Sequence, residues 1–509
     1  MNFCKKVVVS VGVLTLGCFG ASALEVKMES LAGEGVWVSP FKWSEGESFL
    51  VTVWFEEQFL GDGAAYERRA KEFGKVGRQE LRREVTKSLK ELNVKSMKAA
   101  KGALDGLVEK KVLAKVDSFW VVNGFSCVTD EAGVEALKEV PGVKKIFVQK
   151  KRRSIAFEEH EVQQVKEWPE RKEPVFEDIP WYVEELKADQ VWKEFKVAGK
   201  GTLNVIHDKN FIVSPQLARS VYRNPKEVGG NGIDDDGNGY VDDVHGFNFE
   251  LNSAQLFTKE FDGDPKNRKV LHGTNCANIV SGAGDGKKRA QFGVAPLSDW
   301  AGVINQGGIE KSVEWAIEQG ADTYSMSFTR AYLGEYASHW RKVMEQGNFC
   351  GVLFVSGAGN RRKQLPEPFL MHVPQSIPNA VFAASGVHRD RSKTTFSCVG
   401  PVKWMTEHYR DGVVQKPEVC AFNYKVVGQL PSGKVIPEFM NGNSYAGPMF
   451  CGAISLMLSA DPDLLPWDLK EIIEKTARDV GPEGVDYETG HGLIDCYEAV
   501  KEVLRRKKK

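Results

Sequence analysis

Beyond Trp181 the chain repeats one pattern, a short apolar run followed by a segment with helical spacing. Leu203 to Ile206, Gly351 to Val355 and Ala380 to Ala384 are such runs, while the stretch after His272 and that from Ser312 to Glu318 are helical. Strands without a polar face must be covered on both sides, and helical crossovers between them make neighbours parallel. The pattern therefore predicts an α/β fold, a parallel sheet flanked by helices. Met449 to Leu458 is nearly continuous in apolar residues and reads as a buried helix, with Pro448 in the first turn where its missing N–H does no harm. Pro466 opens a further helix whose Leu469, Ile472, Ile473, Thr476 and Ala477 share one face.

The first 150 residues read differently. Phe49 to Phe55 and Phe119 to Val128 each have the character of one strand, and Leu81, Val85, Leu89 and Leu92 recur at helical spacing. Val134 to Leu137 lies in another helix, and Pro141-Gly142-Val143 turns into a strand over Lys144 to Val148. Residues 24–150 are thus expected to form a small α+β domain with an antiparallel sheet. Residues 151–179 are charged and lack apolar periodicity; they read as an exposed linker, either a site of proteolysis or an uncut tether. The parallel-sheet domain takes 180–505, and the basic run Arg505 to Lys509 reads as a solvated tail.

Lys5-Lys6, the apolar run Val7 to Phe19 and Ala21-Ser22-Ala23 form the three zones of a secretory signal peptide over 1–23. The run is too short to cross a bilayer, so no stable membrane span is expected. A lipid anchor on Cys18 is the alternative, though Thr15-Leu16-Gly17 fits that pattern poorly. Export implies a secreted, periplasmic or cell-envelope protein, in which disulfides are permitted. Six of the nine cysteines are at 276, 350, 398, 420, 451 and 496; Cys276 and Cys451 sit in apolar helical stretches that suit buried free thiols. A formal net charge of −1 over 509 residues gives no electrostatic reason to expect nucleic acid as a partner.

A serine attacks a carbonyl well only when a base takes its proton, and the base needs an acid to fix its tautomer. Ser444, in Gly442-Asn443-Ser444-Tyr445-Ala446-Gly447-Pro448, stands just before the apolar helix, where free amides favour developing negative charge. His272, in His272-Gly273-Thr274, likewise precedes a helical run, with Cys276, Ile279 and Val280 at core spacing. Asn360 ends Gly357-Ala358-Gly359-Asn360 after the run Val352 to Val355 and by itself reads as a turn residue.

Together, and in this order, these motifs resemble those of subtilisin-like serine peptidases. Gly293-Val294-Ala295-Pro296, Gly320-Ala321-Asp322 with Ser325-Met326-Ser327, Lys416-Pro417-Glu418-Val419 and the segment Gly490 to Asp495 extend the likeness over about residues 180–500. The resemblance implies a subtilisin-like parallel sheet, a polypeptide substrate, Ser444 as nucleophile, His272 as base and Asn360 as oxyanion donor. Ser118 to Asn123 and Leu137 to Val143 resemble the family's propeptides, which implies that the 24–150 domain is the enzyme's own intramolecular inhibitor and folding aid.

The acid is the damaged part. The family's strand ends Asp-x-Gly-apolar, whereas this chain reads Asn204-Val205-Ile206-His207-Asp208-Lys209-Asn210-Phe211. Counting back from Ser214-Pro215-Gln216-Leu217 puts His207 in the acid's place; counting forward from Gly199-Lys200-Gly201 puts Asp208 there. The second alignment is favoured, because asparagine tolerates positive φ and a loop absorbs a deletion more readily than a catalytic turn accepts lysine for glycine. Asn275, Asn278 and Asn443 are further departures, none of which removes a proton-transfer group.

Between these motifs, Asp234-Asp235-Asp236-Gly237-Asn238-Gly239-Tyr240-Val241-Asp242-Asp243 spaces oxygen donors at alternate positions. Asp234, Asp236, Asn238 and Asp242 are the expected ligands of a structural Ca²⁺, the alternative being a turn rich in Gly and Asp. Thr329-Arg330 and Arg361-Arg362-Lys363 suggest a basic cleft that favours acidic residues, or merely solvated loop charges. The expectation is an exported serine endopeptidase acting through a seryl acyl-enzyme. A pseudopeptidase that binds peptides or a protein partner without turnover is the alternative.

Overall fold

The computed structural model describes residues 34–39, 48–61, 64–74, 76–150, 178–257, 271–284, 293–305, 307–365, 370–430 and 434–508. The expected signal peptide at 1–23, and all but the last two residues of the expected linker, lie outside the described residues. No helix among the described residues is long and apolar enough to cross a membrane.

The second half is built on the expected parallel sheet. Its strands are β6 (Leu203–His207), β7 (Gly246–Asn248), β8 (Asp299–Ile304), β9 (Thr323–Met326), β10 (Leu353–Gly357), β11 (Val381–Val387) and β14 (Val419–Phe422), in the order β14-β11-β10-β9-β6-β8-β7. All neighbouring pairs are parallel. Strand order reverses at β6, which pairs with both β8 and β9, so the loops leaving β6, β9 and β10 open at one carboxyl end of the sheet. One face is covered by the helices His272–Ser281 and Ala446–Ala460, which join β6, β10, β11 and β14 in a single apolar cluster. The other face is covered by the helices Glu310–Glu318 and Tyr336–Phe349.

The first half is a five-stranded sheet, β1 (Val36–Val38), β2 (Phe49–Phe55), β3 (Ala114–Phe119), β4 (Gly124–Thr129) and β5 (Val143–Lys150), in the order β1-β5-β2-β4-β3. It is antiparallel apart from β1, which runs parallel to β5. The segment expected as one strand from Phe119 to Val128 is instead a hairpin with its turn at 120–123. Asn123 fixes that turn, its amide donating to Glu57 O and Ser96 Oγ at 2.8 Å each. Gly124 then passes so close to β2 that a Cβ would meet Val53 O at 2.1 Å.

The turn also explains why residues 120–122 are apolar: they face the second half of the chain. The Val121 amide donates to the buried Glu314 carboxylate at 2.9 Å, with Trp120 N as a second donor. Trp54 Nε1 donates to His339 Nδ1 at 2.8 Å, and His339 Nε2 pairs with Glu310. His339 is thus held as the Nε2–H tautomer between the two halves. Trp54→Phe keeps an aromatic ring but removes the N–H, which orphans His339 Nδ1, together with part of the buried ring volume; it is expected to lower unfolding free energy by at least about 1–3 kcal/mol, read as a lower urea midpoint at unchanged m-value.

Candidate active site

The strand β6 ends at His207, and the next residue, Asp208, is the one whose side chain meets His272. Asp208 N donates to Val303 O on β8 at 3.0 Å, extending the ladder by one residue before the turn. The turn passes through Asn210 at φ +62°, the conformation asparagine tolerates best among residues with a side chain. Phe211 follows into the core, 5.6 Å from the Trp300 ring. The helix that begins at His272 is stitched to this turn: Gly273 N donates to Lys209 O at 3.2 Å, Thr274 Oγ1 to Asn210 O at 3.1 Å, and Ile212 N to Thr274 Oγ1 at 2.9 Å. Gly273 is required by this approach, since a Cβ there would lie 2.7 Å from Lys209 O and 3.1 Å from Asp208 Cβ.

The result is a hydrogen bond of 2.7 Å between His272 Nδ1 and Asp208 Oδ2. His207 points the other way. It is buried, with Nε2 2.6 Å from Asn305 O and Nδ1 3.0 Å from Tyr324 Oη, and its ring packs on Phe328. The carbonyl can only accept, so Nε2 carries the proton, while Nδ1 faces the Tyr324 hydroxyl, which also donates to Ser312 Oγ at 3.0 Å.

These two histidines titrate in opposite directions. Burial opposes charge on His272, but the Asp208 carboxylate more than offsets it and holds the imidazole well above its ordinary pKa. Burial, reinforced by Arg330, pushes His207 down to about 4 against the smaller effects of Asn305 O and Asp208. Cys276, one turn after His272, lies 4.0 Å from His272 Nδ1 and 3.4 Å from Ser444 O, and burial pushes its thiol pKa up. All seven described cysteines are free and buried.

Ser444 stands at the mouth of the Ala446–Ala460 helix, its Oγ donating to Ser327 O at 3.4 Å. Asn360 follows β10 and accepts from Asn443 N through Oδ1 at 2.8 Å, which leaves its Nδ2 for the cleft. Ser444, Asn360 and Ser327 line one cavity of about 210 Å³. Residues not singled out in the sequence share it: His372, Gln375 and Cys398. Arg361 also lines it, without a carboxylate among the described lining, whereas Arg362 and Lys363 stand in a short turn outside it. Burial and the neighbouring Arg361 lower the pKa of His372.

The polar departures have partners, save that the buried Asn278 Oδ1 has none among the described residues. Asn204, wholly buried, accepts from Thr323 Oγ1 and Ser455 Oγ at 2.7 Å each. Gln429 N donates to Asn275 Oδ1 at 2.9 Å, and Asn278 Nδ2 to Gln429 Oε1 at 2.7 Å. Asn443 Oδ1 accepts from Asn423 at 2.7 Å while its Nδ2 donates to Gly359 O at 2.5 Å.

The acidic loop divides into two parts. Carboxylate oxygens of Glu227, Asp234 and Asp236 lie within 4.8 Å of one another, and the buried Glu227 Oε2 has no hydrogen-bond partner. Burial raises the Glu227 pKa, and Asp243 and Asp236 add to it, against amide donors that lower it. Three convergent carboxylates with an orphaned buried oxygen fit a hard cation. Asp242 lies apart from them, because its oxygens accept from the amides of Gly230, Asn231 and Gly232 at 2.7–3.2 Å. Asn238 is turned away as well, with Oδ1 taken by Tyr240 N and Nδ2 given to Asp243. Glu227 was not legible in the sequence: it precedes the loop and belongs to no repeating spacing.

A sequence profile described as the subtilase family matches residues 213–492, more than half of the 509 residues, and the chain belongs to that family of serine peptidases. The match begins beyond the Asp208 turn, so the identity of the acid rests on geometry. A probable subtilase-type serine protease of Deinococcus radiodurans is 25% identical over 336 residues, covering 63% of this chain and 43% of its own. Bacillopeptidase F of Bacillus subtilis is 23% identical over 414 residues, 76% of this chain and 26% of that one. The chain thus spans less than half the length of either relative. A crystal structure of MycP1 with the N-terminal propeptide removed aligns with a TM-score of 0.46 and 19% identity, over 64% of this chain and 97% of that chain.

The His207 assignment carries a stability signature. A histidine with a depressed folded pKa stabilises the fold above its unfolded value, near 6.5, and loses that contribution as pH falls through about 4. Unfolding free energy is expected to drop by about 3 kcal/mol across this window, and His207→Gln to remove that part of the slope in urea titrations at several pH values.

Proposed function

We propose that the protein is an exported serine endopeptidase that cleaves polypeptides through a seryl acyl-enzyme, with Asp208, His272 and Ser444 as its triad. The observation that carries this reading is the 2.7 Å contact of Asp208 with His272, whose ring lies 5.8 Å from that of Tyr445, the residue after Ser444; Ser444 and Asn360 line one neighbouring cavity. In the mechanism, His272 Nε2 takes the Ser444 proton as Oγ attacks the carbonyl, then returns it to the leaving amine. Asp208 fixes the Nδ1–H tautomer and stabilises the imidazolium. Asn360 Nδ2 donates to the oxyanion, a contribution of about 10²–10³ in turnover for a donor of this kind. The domain over 24–150 acts as the enzyme's own propeptide.

A covalent fluorophosphonate probe tests the triad. Labelling of Ser444 is expected in the parent and after His207→Gln, and is expected to fall about 10⁴-fold in Asp208→Asn. A general base must be neutral to act, so the rate rises with pH through the raised His272 pKa and the acidic limb lies above the ordinary histidine range. In Asp208→Asn, residual activity should show that limb moved to lower pH. Absence of labelling in the parent would favour a binding protein without turnover.

Glu227, Asp234 and Asp236 would hold Ca²⁺, which as a structural ion ties the loop to the residues before it and takes no part in proton transfer. Saturating calcium is expected to add about 3 kcal/mol of stability at a hundredfold excess over Kd. Glu227→Gln should abolish the calcium-dependent rise in melting temperature. Asp242→Asn should lower the melting temperature with and without calcium yet leave that rise in place.

A further inference from the structure

Four cations were set around the cleft by the sequence, and the fold gives them different tasks. Arg330 is committed to rings: its guanidinium lies 5.1 Å from Phe328 and 5.9 Å from Trp340, and its amide donates to Val373 O at 2.7 Å. It steadies a wall, since Phe328 lines the cavity beside Ser444 and also packs at 4.6 Å on His207. Arg362 and Lys363 belong to the short turn outside the lining. Arg361 is in the lining, directly after Asn360, and its carbonyl accepts from Gln364 N at 2.8 Å and Leu365 N at 3.2 Å, which fixes its backbone there. Among the described residues no carboxylate lies in the lining, and none pairs with the Arg361 guanidinium.

A second polar group shares the cavity. His372 is half-buried in the lining, and its ring nitrogens bond to no described residue. Burial and Arg361 hold this imidazole below its ordinary pKa, so it stands as a neutral ring with one N–H to give. Its ring meets that of Tyr332 at 5.8 Å. Tyr332 is 74% exposed at φ +59°, a conformation that bulky residues rarely adopt and that persists where the surroundings impose it.

The remaining walls are apolar. Ala358, Leu365 and Cys398 form one small buried cluster that lines the cavity together with Phe328. At about 210 Å³ the cavity is smaller than the roughly 300–1,000 Å³ of sites that enclose a whole small molecule, and it suits a single side chain. Ser444 and Asn360 line the same space, so the residue whose carbonyl is attacked is the one whose side chain enters it.

We propose that the cleft selects aspartate or glutamate as the residue that supplies the attacked carbonyl, with its methylene stem against Phe328 and Leu365 and its carboxylate held by Arg361 and His372. The inference rests on the reading of Ser444 as nucleophile and adds a substrate class to it. A guanidinium meets a carboxylate through two parallel N–H donors, which an amide of the same shape cannot match in charge and an ammonium opposes. Arg361 is exposed, so its attraction is screened by salt.

The test uses the full chain and peptides that differ only in the residue before the scissile bond: Glu, Gln, Leu or Lys. The kcat/KM for Glu is expected to exceed that for Gln by at least about tenfold and that for Leu as well, with Lys the poorest. The Glu-to-Gln ratio should shrink as NaCl is raised from about 50 mM to about 500 mM. Arg361→Gln should bring the ratio near one, Arg361→Glu should place Lys above Glu, and Arg362→Gln should keep the parent order. Each ratio is taken within one variant, so a loss of folded protein cancels. A fluorophosphonate carries no such side chain and reports the triad by itself. A labelled parent that prefers Leu or cleaves Glu and Gln alike, or a ratio that survives Arg361→Gln, overturns the inference and leaves the triad standing. An unlabelled parent overturns the triad instead, and the subsite is then decided by the anisotropy of fluorescent peptides ending in Glu or Gln. Tighter binding of the Glu peptide that is lost in Arg361→Gln sustains the acidic selection; equal affinity, or no binding of either, overturns it.

Discussion

A parallel sheet leaves no strand face for water, and nearly everything in this protein follows from covering both faces at once. The Ala446–Ala460 helix, buried along almost its whole length, seals one face and ends beneath the cleft with Ser444 at its mouth. The other face is sealed by two helices that are themselves roofed by the first half of the chain. Strand order reverses at β6, so the loops after β6, β9 and β10 converge at one end of the sheet. Asp208, Ser327 and Asn360 are the residues those loops deliver. The cleft is thus a by-product of topology, and the chemistry comes from what the sequence sets at three strand ends.

The sheet also explains why several unusual polar residues are tolerated. A buried amide is costly when orphaned and useful when both its ends are bonded. Asn204 joins β6 to β9 and to the long helix through two hydroxyls; Asn275 and Asn278 tie the His272 helix to Gln429; Asn443 locks the Ser444 turn to Gly359, Asn423 and Asn360. Each looked like decay of a motif when read along the chain. In three dimensions each is a crosslink between elements around the cleft, with Asn278 bonded at one end, since its Oδ1 has no partner among the described residues.

How legible the site was varied with how local its determinants are. The histidine, serine and oxyanion motifs are runs of adjacent residues, so the sequence carries them whole. The acid could not be settled that way, because His207 and Asp208 are neighbours and the choice depends on which side of β6 the chain shows to Gly273. The acidic loop was legible in part. Alternate spacing nominated Asp234, Asp236, Asn238 and Asp242; the first two converge with Glu227, which enters from outside the repeat, while loop amides bond Asp242, and Asp243 bonds Asn238. The strand expected over Phe119 to Val128 broke at Asn123-Gly124 because its apolar middle belongs to the other half of the molecule.

By itself the sequence determined the α/β class and the residue types that a seryl mechanism needs, since apolar period and adjacent motif residues are properties of the chain alone. Tertiary structure decided that Asp208 and not its neighbour His207 meets His272, which acids converge at the loop, and that the first half shares a core with the second. Those outcomes depend on the approach of segments tens to hundreds of residues apart, and a few tenths of an ångström at Gly273 or a single arginine at Asp322 is invisible to any local pattern.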